Sequence, residues 1–156
     1  MKRSSLFGHV IELYDAVRTS KHPADNVVRE FVRSRHYLGS KDRRFISEMV
    51  FGLVRNFKLV NVYAEETLRL TGSATIPREV PSIILISVYC AKVLGEASES
   101  LLPDLSGLWR VYVPNTDCQT FLAALPSTSI PERIQKDGVL SIATRFSFPE
   151  SVVREW

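Results

Sequence analysis

Apolar residues recur every three or four positions from the start of the chain to Gly95, and this spacing matches the turn of an α-helix. The pattern is clearest in the third such segment, whose repeating residues are Phe45, Ile46, Met49, Val50, Leu53, Val54 and Phe57. It also predicts four other helices. They cover about residues 6–17, a segment that begins at Pro23, about residues 58–70 and about residues 81–94. The last of these is apolar nearly all round, as expected for a central helix of a bundle. We therefore expect an all-α fold.

Residues that favour helix ends agree with this pattern. Ser40 is expected to be the N-cap of the third helix, while Gly72 and Gly95 are typical of the position just after a helix. Beyond Gly95 the periodicity weakens. The segment LWRVYV (108–113) is compatible with a short extended piece, and Asp117 can cap a following helix.

Positive charge is concentrated in one part of the chain. The net charge is +3, yet the segment from Arg29 to Lys58 holds eight lysines and arginines against three acids, which gives +5. The remainder of the chain must therefore sum to −2. A basic segment within an otherwise balanced chain is the usual electrostatic sign of polyanion binding.

Several classes of function find no support in the sequence. The longest apolar run is too short and too polar for a membrane span, and Glu12 and Asp15 interrupt the stretch that a secretory signal needs, so we expect a cytoplasmic protein. Cys90 and Cys118 lie far apart without a neighbouring histidine, as expected for reduced core thiols rather than metal ligands. The chain has neither a glycine-rich phosphate loop nor a nucleophile elbow. We therefore expect no catalytic residue, bound metal or cofactor in it.

The side of the third helix opposite its apolar residues carries most of the candidate binding groups. At about 100° per residue these fall within about a third of a turn, and they are Lys41, Arg44, Glu48, Phe51, Arg55 and Lys58. An aromatic ring among cations can stack on an unpaired base, so we assign Lys41, Arg44, Phe51, Arg55 and Lys58 to RNA binding. Arg29 and Arg33 extend this basic surface onto the second helix.

Other interpretations of these residues remain open. In one, the charged side is only a solvated surface with an Arg44–Glu48 pair, and in another, Phe51 packs on a neighbouring helix. Asp42 and Arg43 turn toward the apolar half of the helix, where we expect structural roles. The helix dipole favours Asp42 in the first turn, and Arg43 can pair with a carboxylate at a helix junction.

Two motifs resemble those of a known family. The segment YLGSKDRRFISEMVFGLVRN (37–56), preceded by ADNVVREFVR (24–33), closely resembles the signature of the NusB-like domain that opens the Fmu/Sun/RsmB-type 16S ribosomal RNA (cytosine-5) methyltransferases. About 100 residues later, SFPESVVREW (147–156) resembles the linker motif that precedes the methyltransferase fold in that family. One departure is QTFLAALP (119–126), which stands where the family has an asparagine-rich segment.

The resemblance implies a bundle of about six to seven helices in two sub-bundles. Residues 1–146 would form a NusB-like RNA-binding domain, and residues 147–156 would begin a linker helix toward a methyltransferase domain that this chain does not include. That domain would use S-adenosylmethionine and two catalytic cysteines. Neither Cys90 nor Cys118 stands in the matching sequence context, so no catalytic role passes to them.

The implied function is recognition of ribosomal RNA, with the methyltransferase domain as intramolecular partner. Two alternatives remain at this point. One is a free-standing NusB-type factor in transcription antitermination, and the other is a helical scaffold that contacts protein only.

Overall fold

The computed structural model describes residues 1–73 and 75–155, and all regular structure within them is helical. The ten α-helices in these described residues are α1 Arg3–Thr19, α2 Ala24–Ser34, α3 Ser40–Arg55, α4 Phe57–Leu70, α5 Ser82–Val88, α6 Ser98–Tyr112, α7 Cys118–Ala124, α8 Glu132–Gln135, α9 Gly138–Phe146 and α10 Glu150–Arg154. A π-helical turn, Tyr89–Val93, extends α5, and a 3₁₀ turn, Leu125–Ser127, extends α7. The all-α prediction is confirmed, although the described residues contain more helices than the expected six to seven.

The chain divides into two compact units, and the boundary falls within α3. The first unit is Met1–Gly52 and holds α1, α2 and most of α3. The second unit begins at Leu53 and holds the remaining helices.

In the first unit, one apolar face of each helix supplies the core. Its fully or almost fully buried residues are Phe7, Val10, Ile11, Leu13, Tyr14, Val28, Phe31, Leu38, Ile46, Met49 and Val50. The rings of Phe7 and Phe45 meet edge to face, with their centroids 5.8 Å apart. This contact joins α1 to α3 by a geometry that aromatic pairs favour.

Arg35 fixes the end of α2 to α1. Its guanidinium forms an ion pair with Glu12 and lies over the ring of Phe31, 3.5 Å from the centroid. Arg35 also donates to the carbonyl oxygen of Phe31. Because its guanidinium is paired with Glu12 and packed on Phe31, Arg35 adds little to the exposed basic surface.

In the second unit, α5 is the central helix, as its sequence predicts. All seven residues of Ser82–Val88 are buried, and both α4 and α6 pack on this helix. Trp109 of α6 is 1% exposed and lies against Phe121 of α7, with ring centroids 5.2 Å apart. No helix in the described residues is both long and apolar enough to cross a membrane.

The extended piece that LWRVYV (108–113) suggested is not present. This segment forms the end of α6, which continues through Pro103 to Tyr112. Leu101, Leu105 and Trp109 follow one another at intervals of four and are all buried. Burying three large side chains on one helical stripe outweighs the single backbone hydrogen bond that a proline removes.

The helix ends agree with most of the predictions from sequence. Gly72 and Gly95 adopt left-handed conformations with φ of 82° and 73°, which favour glycine. The Asp117 carboxylate accepts a hydrogen bond from the backbone N–H in the first turn of α7, as an N-cap does. The prediction for Ser40 was wrong by one position, because Ser40 is itself the first helical residue of α3 and Gly39 precedes it.

Candidate nucleic-acid interface

The two units differ in charge. The first unit contains ten lysines and arginines and six acids, a net charge of +4, whereas the second contains ten and eleven, a net charge of −1. The first unit therefore carries the excess positive charge of the molecule. A polyanion site is accordingly expected on α1–α3.

An open groove with a volume of about 490 Å³ lies between α2 and α3 of the first unit. It is lined by Asp25, Val28, Arg29, Val32, Arg33, Arg43, Ser47 and Phe51. We call this feature the arginine groove, because three of its four charged residues are arginines. Its volume falls within the range of about 300–1,000 Å³ that is usual for ligand sites.

The residues of the arginine groove follow helical spacing on both walls. Arg43, Ser47 and Phe51 are four positions apart on α3, which places them on one stripe of that helix. On α2 the corresponding stripe begins at Asp25 and continues through Arg29 and Arg33. Phe51, Arg29 and Arg33 are all predicted from the sequence to bind RNA, and the structure brings these three together.

Arg43 was expected to have a structural role only, and it belongs to this groove as well. Its Nε donates to the carbonyl oxygen of Leu38 at 2.9 Å, so its partner is a backbone carbonyl rather than the carboxylate that we expected. Arginine has five N–H donors, and this bond uses one of them. The bond holds the half-buried side chain in place, and Arg43 is one of the residues that line the groove. Asp42 lies in the first turn of α3, as predicted.

Ser47 is not among the binding residues predicted from the sequence, and the predicted roles of Arg43 and Phe51 differ. The signal that could have found this stripe is the four-residue interval that links Arg43 to Ser47 and Ser47 to Phe51. It was obscured because Arg43 borders the apolar side of α3 and Phe51 borders the charged side. Both borders line the groove, together with residues of α2.

The remaining RNA-binding candidates on the charged side of α3 differ in whether they already have partners within the protein. Lys41 and Arg55 are exposed and form no ion pair within the described residues. Arg44 donates from Nε to Glu48 at 2.9 Å, as the solvated-surface interpretation proposed, and both side chains are more than half exposed. This hydrogen bond, together with the Glu48 charge, raises the pKa of Arg44. Arg55 lies in the second unit, as does Lys58.

Lys58 has a structural contact that the sequence did not indicate. Its Nζ donates to the carbonyl oxygen of Phe148 at 2.8 Å, and its backbone N–H donates to Oγ of Ser147 at 3.2 Å. Ser147 has a left-handed backbone with φ of 56°. Lys58 thus holds the turn between α9 and α10 against the start of α4.

Side chains that bind metal ions do not gather in the described part of the chain. No group of three or more histidine, cysteine, aspartate and glutamate side chains is placed to hold a metal ion there. Cys90 and Cys118 are both buried and reduced. Burial, with a smaller contribution from Asp117, raises the pKa of Cys118 to about 11, so this thiol stays protonated at neutral pH.

Comparison of the chain with protein-family models, curated proteins and solved structures finds no match. The assignment of a function therefore depends on the site itself and on the motifs in the sequence.

Proposed function

We propose that this chain is an RNA-binding helical module whose first unit recognises ribosomal RNA. In this proposal it is the amino-terminal, NusB-like part of an S-adenosylmethionine-dependent ribosomal RNA 5-methylcytosine methyltransferase that acts in the cytoplasm. The chain supplies RNA recognition, and a following domain supplies the cofactor and the chemistry. The support for the parent enzyme is the resemblance of segments 24–33, 37–56 and 147–156 to that family.

The observation that carries RNA binding is the arginine groove on a unit of net charge +4. Arginine suits phosphate recognition because its planar guanidinium can donate two parallel hydrogen bonds. Arg29 has no ion-pair partner within the described residues, and Arg33 has only a long, exposed contact of 3.9 Å with Glu30. Such surface pairs are weak, so a phosphate can displace this carboxylate at little cost.

An apolar surface in the second unit is consistent with a following domain. Phe146, at the end of α9, is 61% exposed and stacks on Phe148, with ring centroids 6.4 Å apart. Ile142 lies one turn before Phe146 and is also exposed. Exposed apolar groups that gather in this way often mark a protein contact. We assign this surface to the contact with the methyltransferase domain.

RNA binding is tested by fluorescence anisotropy with a labelled ribosomal RNA hairpin that contains an unpaired loop, across a series of salt concentrations. The test variant carries Arg29→Gln, Arg33→Gln and Lys41→Gln in the first unit. Each phosphate contact with a single strand contributes about 0.7 to the slope of log affinity against log salt, so the slope should flatten by about 2. The matched control carries Arg110→Gln, Arg133→Gln and Arg145→Gln, three exposed arginines of the second unit.

The control removes the same charge, so it should retain a slope close to that of the wild type. If both variants flatten the slope equally, the affinity comes from net charge and not from the first unit. If the wild type binds no RNA at low salt, the proposal fails and the protein-scaffold alternative gains support. In the parent enzyme, the triple variant of the first unit should also reduce 5-methylcytosine formation in ribosomal RNA.

A further inference from the structure

We infer that the arginine groove is a binding site for one unpaired nucleotide, whose base stacks on Phe51 while its phosphate contacts the arginines. This inference rests on the proposed RNA-binding function and adds what the site selects. It predicts that the protein distinguishes single-stranded from fully paired RNA. Paired RNA keeps its bases stacked within the helix, so it can use the cations but not the aromatic ring.

The groove combines the two kinds of surface that a nucleotide needs. Its apolar lining is Val28, which is 5% exposed, together with the half-buried Val32 and Phe51. Arg29 and Arg33 are exposed along one wall, so cations border an apolar surface. Sites for single-stranded nucleic acid generally combine a cationic path for the backbone with an aromatic side chain for the base.

The order of residues along the groove orients the nucleotide. The short link 35–39 joins α2 to α3, so the end of α2 lies near the start of α3. This places Arg33 and Arg43 at the linked end, whereas Asp25 and Phe51 come from the opposite ends of their helices. The Asp25 carboxylate repels a phosphate, so the phosphate is drawn to the arginine end and the base lies toward Phe51.

Arg43 makes the phosphate end of the site ordered in advance. Its hydrogen bond to the Leu38 carbonyl oxygen fixes a planar cation before any ligand binds. A side chain that is already fixed loses less conformational entropy on binding. Between Arg43 and Phe51 lies the half-buried Ser47, whose hydroxyl can both donate and accept a hydrogen bond.

The experiment compares two RNA probes of equal length, a single strand that contains 2-aminopurine and a blunt duplex. Stacking of a base on an aromatic ring should make the wild type bind the single strand roughly 5- to 100-fold more tightly and should quench the 2-aminopurine fluorescence. Phe51→Leu keeps an apolar side chain but removes the aromatic face. It should abolish both the preference and the quenching and leave duplex affinity and the salt slope unchanged.

Two further variants make the outcome decisive. Phe57→Leu is the matched control, because Phe57 is 41% exposed and lies in the second unit, and it should behave as the wild type. Ser47→Met fills the groove without removing a core residue, so it should abolish the preference even if Phe51→Leu proves unstable in urea. If the wild type binds both probes equally, and Phe51→Leu and Ser47→Met bind as the wild type does, the inference of a nucleotide site is wrong. The proposed RNA binding would stand in that case. A wild type that binds neither probe overturns both.

Discussion

Replacing Trp109 with phenylalanine should destabilise the second unit by about 2.5 kcal/mol. The indole is 1% exposed, and its Nε1 donates to the carbonyl oxygen of Thr116 at 2.7 Å. The substitution removes two buried ring carbons at about 0.8 kcal/mol each. It also removes a hydrogen bond worth about 1 kcal/mol, toward the low end of the cost for a lost partner because Thr116 is only half-buried.

The assay is urea unfolding followed by far-UV circular dichroism, with Tyr112→Phe as control. Tyr112 lies on the same helix and is 46% exposed, so removing its hydroxyl should change the unfolding free energy by less than about 0.5 kcal/mol. A lower midpoint with an unchanged m-value would confirm a loss of stability without a change in compactness. If Trp109→Phe unfolds at the same urea concentration as Tyr112→Phe, the contacts of the indole do not hold α6 to the following loop.

Three other substitutions test the structure. Asp117→Ala should lower the melting temperature at neutral pH but not in acid. Hydrogen bonds in the first turn of α7 lower the pKa of the Asp117 carboxyl. The stabilisation that this carboxylate provides is therefore complete above about pH 4 and is lost as pH falls through the folded pKa. Lys58→Met should leave the salt slope of RNA binding unchanged, because Lys58 lies in the second unit and outside the arginine groove. It should cost less than about 1 kcal/mol in urea unfolding, since only the bond to the Phe148 carbonyl oxygen is lost. Thr67→Val should lower the free energy of unfolding by about 1–2 kcal/mol, because it breaks the contact between the buried hydroxyls of Thr67 and Thr128. The double variant with valine at both positions should lower it by less than the two single changes added together, as measured by urea unfolding.

Much of the helical structure could be predicted from local signals. The periodicity of apolar residues located α1 to α5, and Gly72, Gly95 and Asp117 marked helix ends, because these preferences depend on a few adjacent residues. After Gly95 the local signals conflicted. The segment LWRVYV (108–113) indicated a short extended piece, but burial of Trp109 with its neighbours favoured a helix. Where many apolar side-chain atoms are buried together, the free energy gained by burial outweighs the helix propensities of the individual residues.

The candidate site was predictable from the sequence only in part. The sequence pointed to a basic, aromatic surface on the second and third helices, since charge and helical spacing can be counted along one chain. It could not indicate which cations already have partners in the folded protein. The Arg35 guanidinium is paired with Glu12, and the Lys58 ammonium is held in place by the carbonyl oxygen of Phe148, a residue 90 positions away.

The sequence by itself therefore determined the helical class, the helix ends that depend on caps, and the concentration of positive charge before residue 58. The tertiary structure decided that Arg43, Ser47 and Phe51 face Arg29 and Arg33 across a groove. The physical reason is that a groove belongs to two helices at once. Each helix specifies its own stripe through the spacing of its residues, but which stripes meet depends on how α2 and α3 each pack against α1.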